Sequence, residues 1–188
     1  MTPLDRLTVR VANTLALLAG GGRVYSPAAY VLGFLLPGGY DGGPVAWLRG
    51  WPRPDIDAGR GRIALGHVGL YPGVRLHCLG GGRIAVGSGS YLNRGTRVTA
   101  GRSVRLGREC MVSWDVIITD AVVPAGTQTG GLSFEPVVIG NRAWIASRVV
   151  ILGGTRLGDG CVVGAGSVVR GVYPAGTVIT GAPAQEVT

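Results

Sequence analysis

The chain has no lysine, and among its 188 residues only two histidines, three cysteines and two phenylalanines. Each shortage argues against a class of protein. Cys78, Cys110 and Cys161 form no C-x-x-C pair and no even set, which argues against a disulfide framework and a zinc site. No apolar run approaches the ~18 residues needed to cross a bilayer. All 18 basic residues are arginine, giving a net charge of +8 against 10 acidic residues. They come singly, with no aromatic-interleaved basic run and no DNA-reading helix, so nucleic acid is not the expected partner. Scattered guanidiniums suit a small phosphate-bearing ligand better. Arginine without lysine also has a neutral reading, the codon bias of a GC-rich genome.

Glycine is what the chain has in excess. There are 35 glycines and 11 prolines, spread along the sequence, and 46% of the residues are hydrophobic. The length suits one domain with a core, and the hydrophobic content argues against general disorder. The glycines then read as an ordered backbone that turns very often.

The first 60 residues are expected to form a helical or irregular cap. Leu4, Leu7, Val11, Leu15 and Leu18 fall on one helical face, behind a Thr2-Pro3 start with Asp5 as capping partner. Tyr30–Leu36 is a second apolar stretch, closed by Pro37-Gly38-Gly39. No convincing signal-peptide cleavage site is present. A cap packed on the main domain is preferred over membrane contact through residues 1–36, and a cytoplasmic location is the default.

A period of six dominates the rest. Ile139, Ile145, Ile151, Leu157, Val163 and Val169 are six apart, and Ala143, Val149, Thr155, Cys161 and Ser167 form a small or β-branched column four places on. Helices need spacing near 3.6 and plain strands near 2, so neither yields this register. A coil of short strands does, each hexapeptide forming one face of a prism with its aliphatic residue inside. Cys110 and Cys161 are then packing residues. Val86, Leu92 and Val98 repeat the phase, as do Leu106, Val112 and Ile118, with two residues inserted between the sets. The period breaks at Ala121 and resumes at Ile139. The expected plan is a cap at 1–60, an all-β solenoid at 61–181 with an extruded loop at about 121–138, and a tail at 182–188.

Val138-Ile-Gly-Asn-Arg-Ala-Trp-Ile145, Gly164-Ala-Gly-Ser-Val-Val169 and Gly181-Ala-Pro-Ala184 resemble segments of the left-handed parallel β-helix acyltransferases, and the resemblance covers roughly residues 60 to 187. It implies a homotrimer with acyl-CoA, such as acetyl-CoA, in a groove between prisms, no metal, and a small polar acceptor such as a sugar or amino sugar. Trp144, Ala146, Gly164, Ala165, Arg170 and Pro183 match cofactor-binding positions. Two lysines common in relatives are here Gly171 and Gln185.

The catalytic segment departs from the pattern. Ser113–Asp120 resembles a stretch that continues Asp-x-Asp-x-His in a subgroup, where the histidine is the general base. Here Val122 and Pro124 replace the second Asp and the His. Asp120 and His77 are the catalytic candidates that remain. An ordinary aspartate, with a pKa near 4, is a poor base for a hydroxyl. His67 and His77 lie ten apart and should not stack. Only two histidines in the whole chain also make a three-histidine metal site, as in carbonic-anhydrase-like relatives, unexpected. The alternatives to an active transferase are a degenerate scaffold or binding homologue, and a different biosynthetic reaction on the same fold.

Overall fold

The computed structural model describes residues 46–48, 54–123 and 131–187. They form a parallel β-solenoid of triangular section. Its first face stacks 46–48, 68–70, 91–92, 111–112, 144–145, 162–163 and 178–181 in that order. The second face stacks 55–57, 75–78, 97–100, 117–119, 150–151 and 168–169. The third stacks 62–65, 83–86, 103–106, 137–139, 156–157 and 172–173. The expected helical cap and the membrane-contact segment lie outside the described residues. Within the first 60 residues, Ala46–Leu48 and Asp55–Asp57 are solenoid strands, paired in parallel with Val68–Leu70 and Arg75–His77.

Strands this short are held by what they bury. The aliphatic column Ile139, Ile145, Ile151, Leu157, Val163 and Val169 is at most 3% exposed, and Ala143, Val149, Thr155, Cys161 and Ser167 are fully buried. Each coil buries its apolar side chains against the coils above and below, so the repeats support one another. The polar members of the small column stay satisfied by bonding to the backbone: Thr155 Oγ1 donates to the Leu152 and Val169 carbonyls, and Ser167 Oγ to the Gly164 carbonyl. The three cysteines are free and buried. Burial pushes each thiol above its ordinary value.

The corners need left-handed backbone. Gly95, Gly166 and Gly176 supply it at φ of 75°, 71° and 76°, while Glu109, Asp115, Arg142 and Arg148 adopt it without being glycine, at 53–58°. Each corner N–H is spent on the coil below, as when Arg148 N donates to the Trp114 carbonyl. That bond helps hold a residue type that avoids this conformation.

The period breaks where the sequence predicts. Ala121–Val122 and Ser133–Phe134 pair antiparallel, leading into and out of the excursion, and residue 137 is already back in the core. The Phe134 ring lies over Gly101, where a Cβ would collide with it. At the other end, Ala184–Glu186 turns back antiparallel on Ile179–Gly181, so the tail continues the first face.

Candidate functional site

The outward side of the first face is apolar in its upper coils. Tyr91, Met111, Trp144, Val162 and Val178 occupy successive rungs in register. Trp144 is 50% exposed because strand alternation turns it outward while Ile145 fills the core. Where this face ends, the next residues of successive coils line up: Ser113, Ala146 and Gly164, joined by Ser113 N to Ile145 O, Ala146 N to Val163 O and Gly164 N to Ile179 O. A side chain at Gly164 would press on the Thr180 hydroxyl 2.8 Å away. Ala165 is exposed beside it. Trp144, Ala146, Gly164 and Ala165 therefore line one edge, with small residues leaving room for a narrow ligand.

Two further residues share this edge. Ser113 Oγ and Ser147 Oγ are 2.8 Å apart, and Trp114 next to Ser113 is 56% exposed. A lone serine inside a repeat carries no signal of such pairing, so the sequence did not single out either one. Pro183 is exposed and follows a cis Ala182–Pro183 bond in the turn from 181 to 184.

Arg170 is not with them. It stands past the second face, at its corner with the third, and its guanidinium meets both Glu135 carboxylate oxygens at 3.2–3.3 Å. A ligand phosphate would have to compete with Glu135 for it. Glu135 is itself positioned by the excursion: its N–H donates to the Asp120 carbonyl and its carbonyl accepts from Gly154 N.

The two catalytic candidates part company. Asp120 is fully buried, one place beyond the pairing of Thr99 with Thr119. One carboxylate oxygen accepts from Gly101 N at 2.8 Å, and the other from Arg102 N and Ser103 N at 2.7 and 2.6 Å. This carboxylate is a clamp on the turn below it. The chain leaves the prism at residue 121, and Asp120 supplies acceptors for the turn at that point. Without a face toward solvent it meets no acceptor, which corrects the expectation of a catalytic Asp120.

His77 points outward on the second face, in register with Asp57 below and Thr99 above. Its Nε2 is 2.9 Å from Asp55 Oδ2, and the side chains are 38% and 60% exposed. A carboxylate that orients an imidazole is the arrangement found in general-base pairs. Asp55 had no sequence signal, because it sits 22 residues from its partner and only the coil period joins them. His67 is exposed at the edge leading to the first face, on a different side from His77. Pro124, at the expected histidine's place, lies outside the described residues. Among the described residues no group of three His, Cys, Asp or Glu is placed to hold a metal.

Comparison with known proteins shows what the repeats are similar to. Residues 136–171 match the family model of the bacterial transferase hexapeptide (six repeats). The chain carries hexapeptide repeats similar to those of the acyltransferases built on them, and its solenoid has the fold of the left-handed parallel β-helix. It is 36% identical over 127 residues to a putative lipopolysaccharide biosynthesis O-acetyl transferase of Escherichia coli K12, covering 60% of this chain and 64% of that protein. It is 31% identical over 106 residues to the galactoside O-acetyltransferase of the same strain, covering 55% and 52%. The chain thus spans between about half and just under two thirds of these relatives' lengths. A solved galactoside acetyltransferase in complex with coenzyme A has a similar fold, at TM-score 0.59 and 20% identity over 100% of this chain and 83% of that one.

Proposed function

We propose that this protein transfers an acetyl group from acetyl-CoA to a hydroxyl or amine of a saccharide or another small polar acceptor. The observation that carries this is the edge formed by Trp144, Ala146, Gly164 and Ala165, small residues stacked beside an outward tryptophan. The similarity to O-acetyltransferases, and a neighbour of like fold that binds coenzyme A, support the same reading. In this proposal the pantetheine arm lies along that edge and Pro183 borders it. Arg170 joins the phosphates after exchanging Glu135 for them.

The base is assigned to His77. Asp55 holds the ring, and the imidazole takes the acceptor's proton as its oxygen or nitrogen attacks the thioester carbon; the thiol of CoA leaves with that proton. In one chain His77 and Trp144 stand on different faces of the prism. The proposal therefore includes a homotrimer in which the second face of one prism borders the first face of the next. It also places the enzyme in the cytoplasm, where acetyl-CoA is made; among the described residues no helix is long and apolar enough to cross a membrane.

The decisive experiment is acceptor-dependent release of free CoA from acetyl-CoA, read with a thiol reagent across a panel of sugars, amino sugars and amines. Release that needs an acceptor is expected. Tight CoA binding with no turnover on any acceptor would favour a degenerate binding homologue. That second reading draws on one observation, the structural use of Asp120 where the catalytic segment should be.

A further inference from the structure

The geometry points to a second ligand site, an anion-binding concavity on the third face of the lower coils, for a phosphate or diphosphate group. The concavity measures about 520 Å³, and Arg62, Arg83, Arg102 and Arg105 all line it. Its floor is small: Ala64 and Ala85 are in register on adjacent strands, and Gly81 and Gly101 edge the same space. That volume falls within the range of small-ligand sites and exceeds the needs of a single ion.

Two rows of outward positions build it. In one row Arg62 pairs with Arg83 and Arg83 with Ser103. In the other, Ala64 and Ala85 lie below Arg105. Alternation along each strand sends Ile63, Leu65, Ile84 and Val86 into the core and turns these residues out together. Placing like charges opposite each other on neighbouring strands is unfavourable. No carboxylate among the described residues pairs with Arg83, Arg102 or Arg105. The acid bonded to this turn, Asp120, lies buried above it with its oxygens committed to Gly101, Arg102 and Ser103 N–H groups. The turn's backbone is thus already spent, and recognition falls to the guanidiniums and the Ser103 hydroxyl.

Guanidinium forks match phosphate oxygens two at a time. Three unpaired arginines around a shallow, small-residue floor suit a group carrying more than one negative charge, whether on a soluble sugar phosphate or on a lipid headgroup. This site is independent of the proposed transfer. It lies on the third face, below residue 106, whereas the proposed CoA edge lies at residues 144–165 beside the first.

The test is calorimetric titration of the full chain with inorganic pyrophosphate at low salt, beside flotation with vesicles containing phosphatidylglycerol. Saturable binding near one site per chain is expected. The triple variant R83Q/R102Q/R105Q should weaken it at least tenfold. A charge-matched control, R94Q/R108Q/R148Q, should change it less than twofold. Ala85→Leu, which fills the floor and alters no charge, should also weaken it about tenfold. The same pattern in flotation, without pyrophosphate binding, would support the site with a lipid headgroup as its source. Equal loss in both triples, full affinity in Ala85→Leu, or no binding of either probe would overturn the proposal. Circular dichroism melts of all variants, expected to match the parent, confirm that the fold is intact.

Discussion

The upper and lower coils share one prism and differ in almost everything on its outside. From residue 137 upward, coils close in eighteen or sixteen residues: Ile139 lies under Leu157, and Leu157 under Tyr173. Below, they take twenty to twenty-two, as Leu70 lies under Leu92 and Leu92 under Val112. Upper strands are mostly two residues long and lower ones mostly three or four. Charge divides the same way. Residues 54–109 hold nine arginines against three carboxylates, and residues 110–187 hold four against five. The interior barely registers the change, since both halves place Leu, Ile or Val on nearly every inner rung, with Tyr173 above Leu157 an exception. Core packing fixes the coil, and what is written on the outer rungs is free to vary. The family match and the proposed cofactor edge belong to the upper half. The basic concavity belongs to the lower.

If that division of labour holds, substitutions in the two halves should separate in their effects. The largest is expected at the proposed junction between them. His77→Ala should lower kcat about a hundredfold or more, the usual worth of a general base, with the affinity for CoA unchanged. An unchanged kcat would remove the lower half from catalysis. Mixed refolding of His77→Ala with Trp144→Ala chains should restore part of the activity, because some interfaces would then carry both wild-type residues. Trp144→Ala alone should weaken acetyl-CoA binding about tenfold by stripping apolar contact from the edge.

Stability should sharpen the comparison next. Asp120→Ala leaves three N–H groups of the lower turn without acceptors and should cost about 3 kcal/mol or more in chemical denaturation. Loss of less than about 1 kcal/mol would mean that water takes over the turn. The smallest conformational effect is at the corners. Arg148→Gly should be neutral to stabilising by up to about 1 kcal/mol, since glycine accepts positive φ freely while loosening the unfolded chain.

The buried thiols set a pH limit common to both halves. Cys78 and Cys110 lie in the lower coils and Cys161 in the upper, and burial raises all three above the ordinary thiol value of 9.0. The folded state favours the neutral thiol. Its stability is therefore fully present below pH 9 and declines as pH rises through the folded-state values, where only the unfolded chain ionises easily. Alkaline denaturation curves of the wild type and the Cys→Ser variants would show this slope and its reduction.

The solenoid was legible because six-residue spacing is a local property. Ile139 to Val169 announce their burial by position alone, and Ala143 to Ser167 do the same for the small column. The break at Ala121 was legible for the same reason. The lower coils were harder, since their added residues blur the period, and strands at 46–48 and 55–57 carry no hexapeptide signature. The residues proposed for the cofactor were singled out by motif, and four of them, Trp144, Ala146, Gly164 and Ala165, share one edge. The pairing of Arg170 was not legible, because its Glu135 partner arrives from the far side of the excursion. Asp120 looked catalytic by resemblance. Its burial depended on which turn lay beneath it.

The sequence by itself determined the coil, its inner columns and the place where the chain leaves the prism, because each follows from side chains repeating at a fixed step along one strand path. Only the tertiary structure decided which outer residues meet. Asp55 reaches His77, Ser113 reaches Ser147, and Arg83, Arg102 and Arg105 gather around Ala85 across coils of unequal length. Those meetings depend on the number of residues per turn of the solenoid, and a change of two residues in one coil moves every outer neighbour above it.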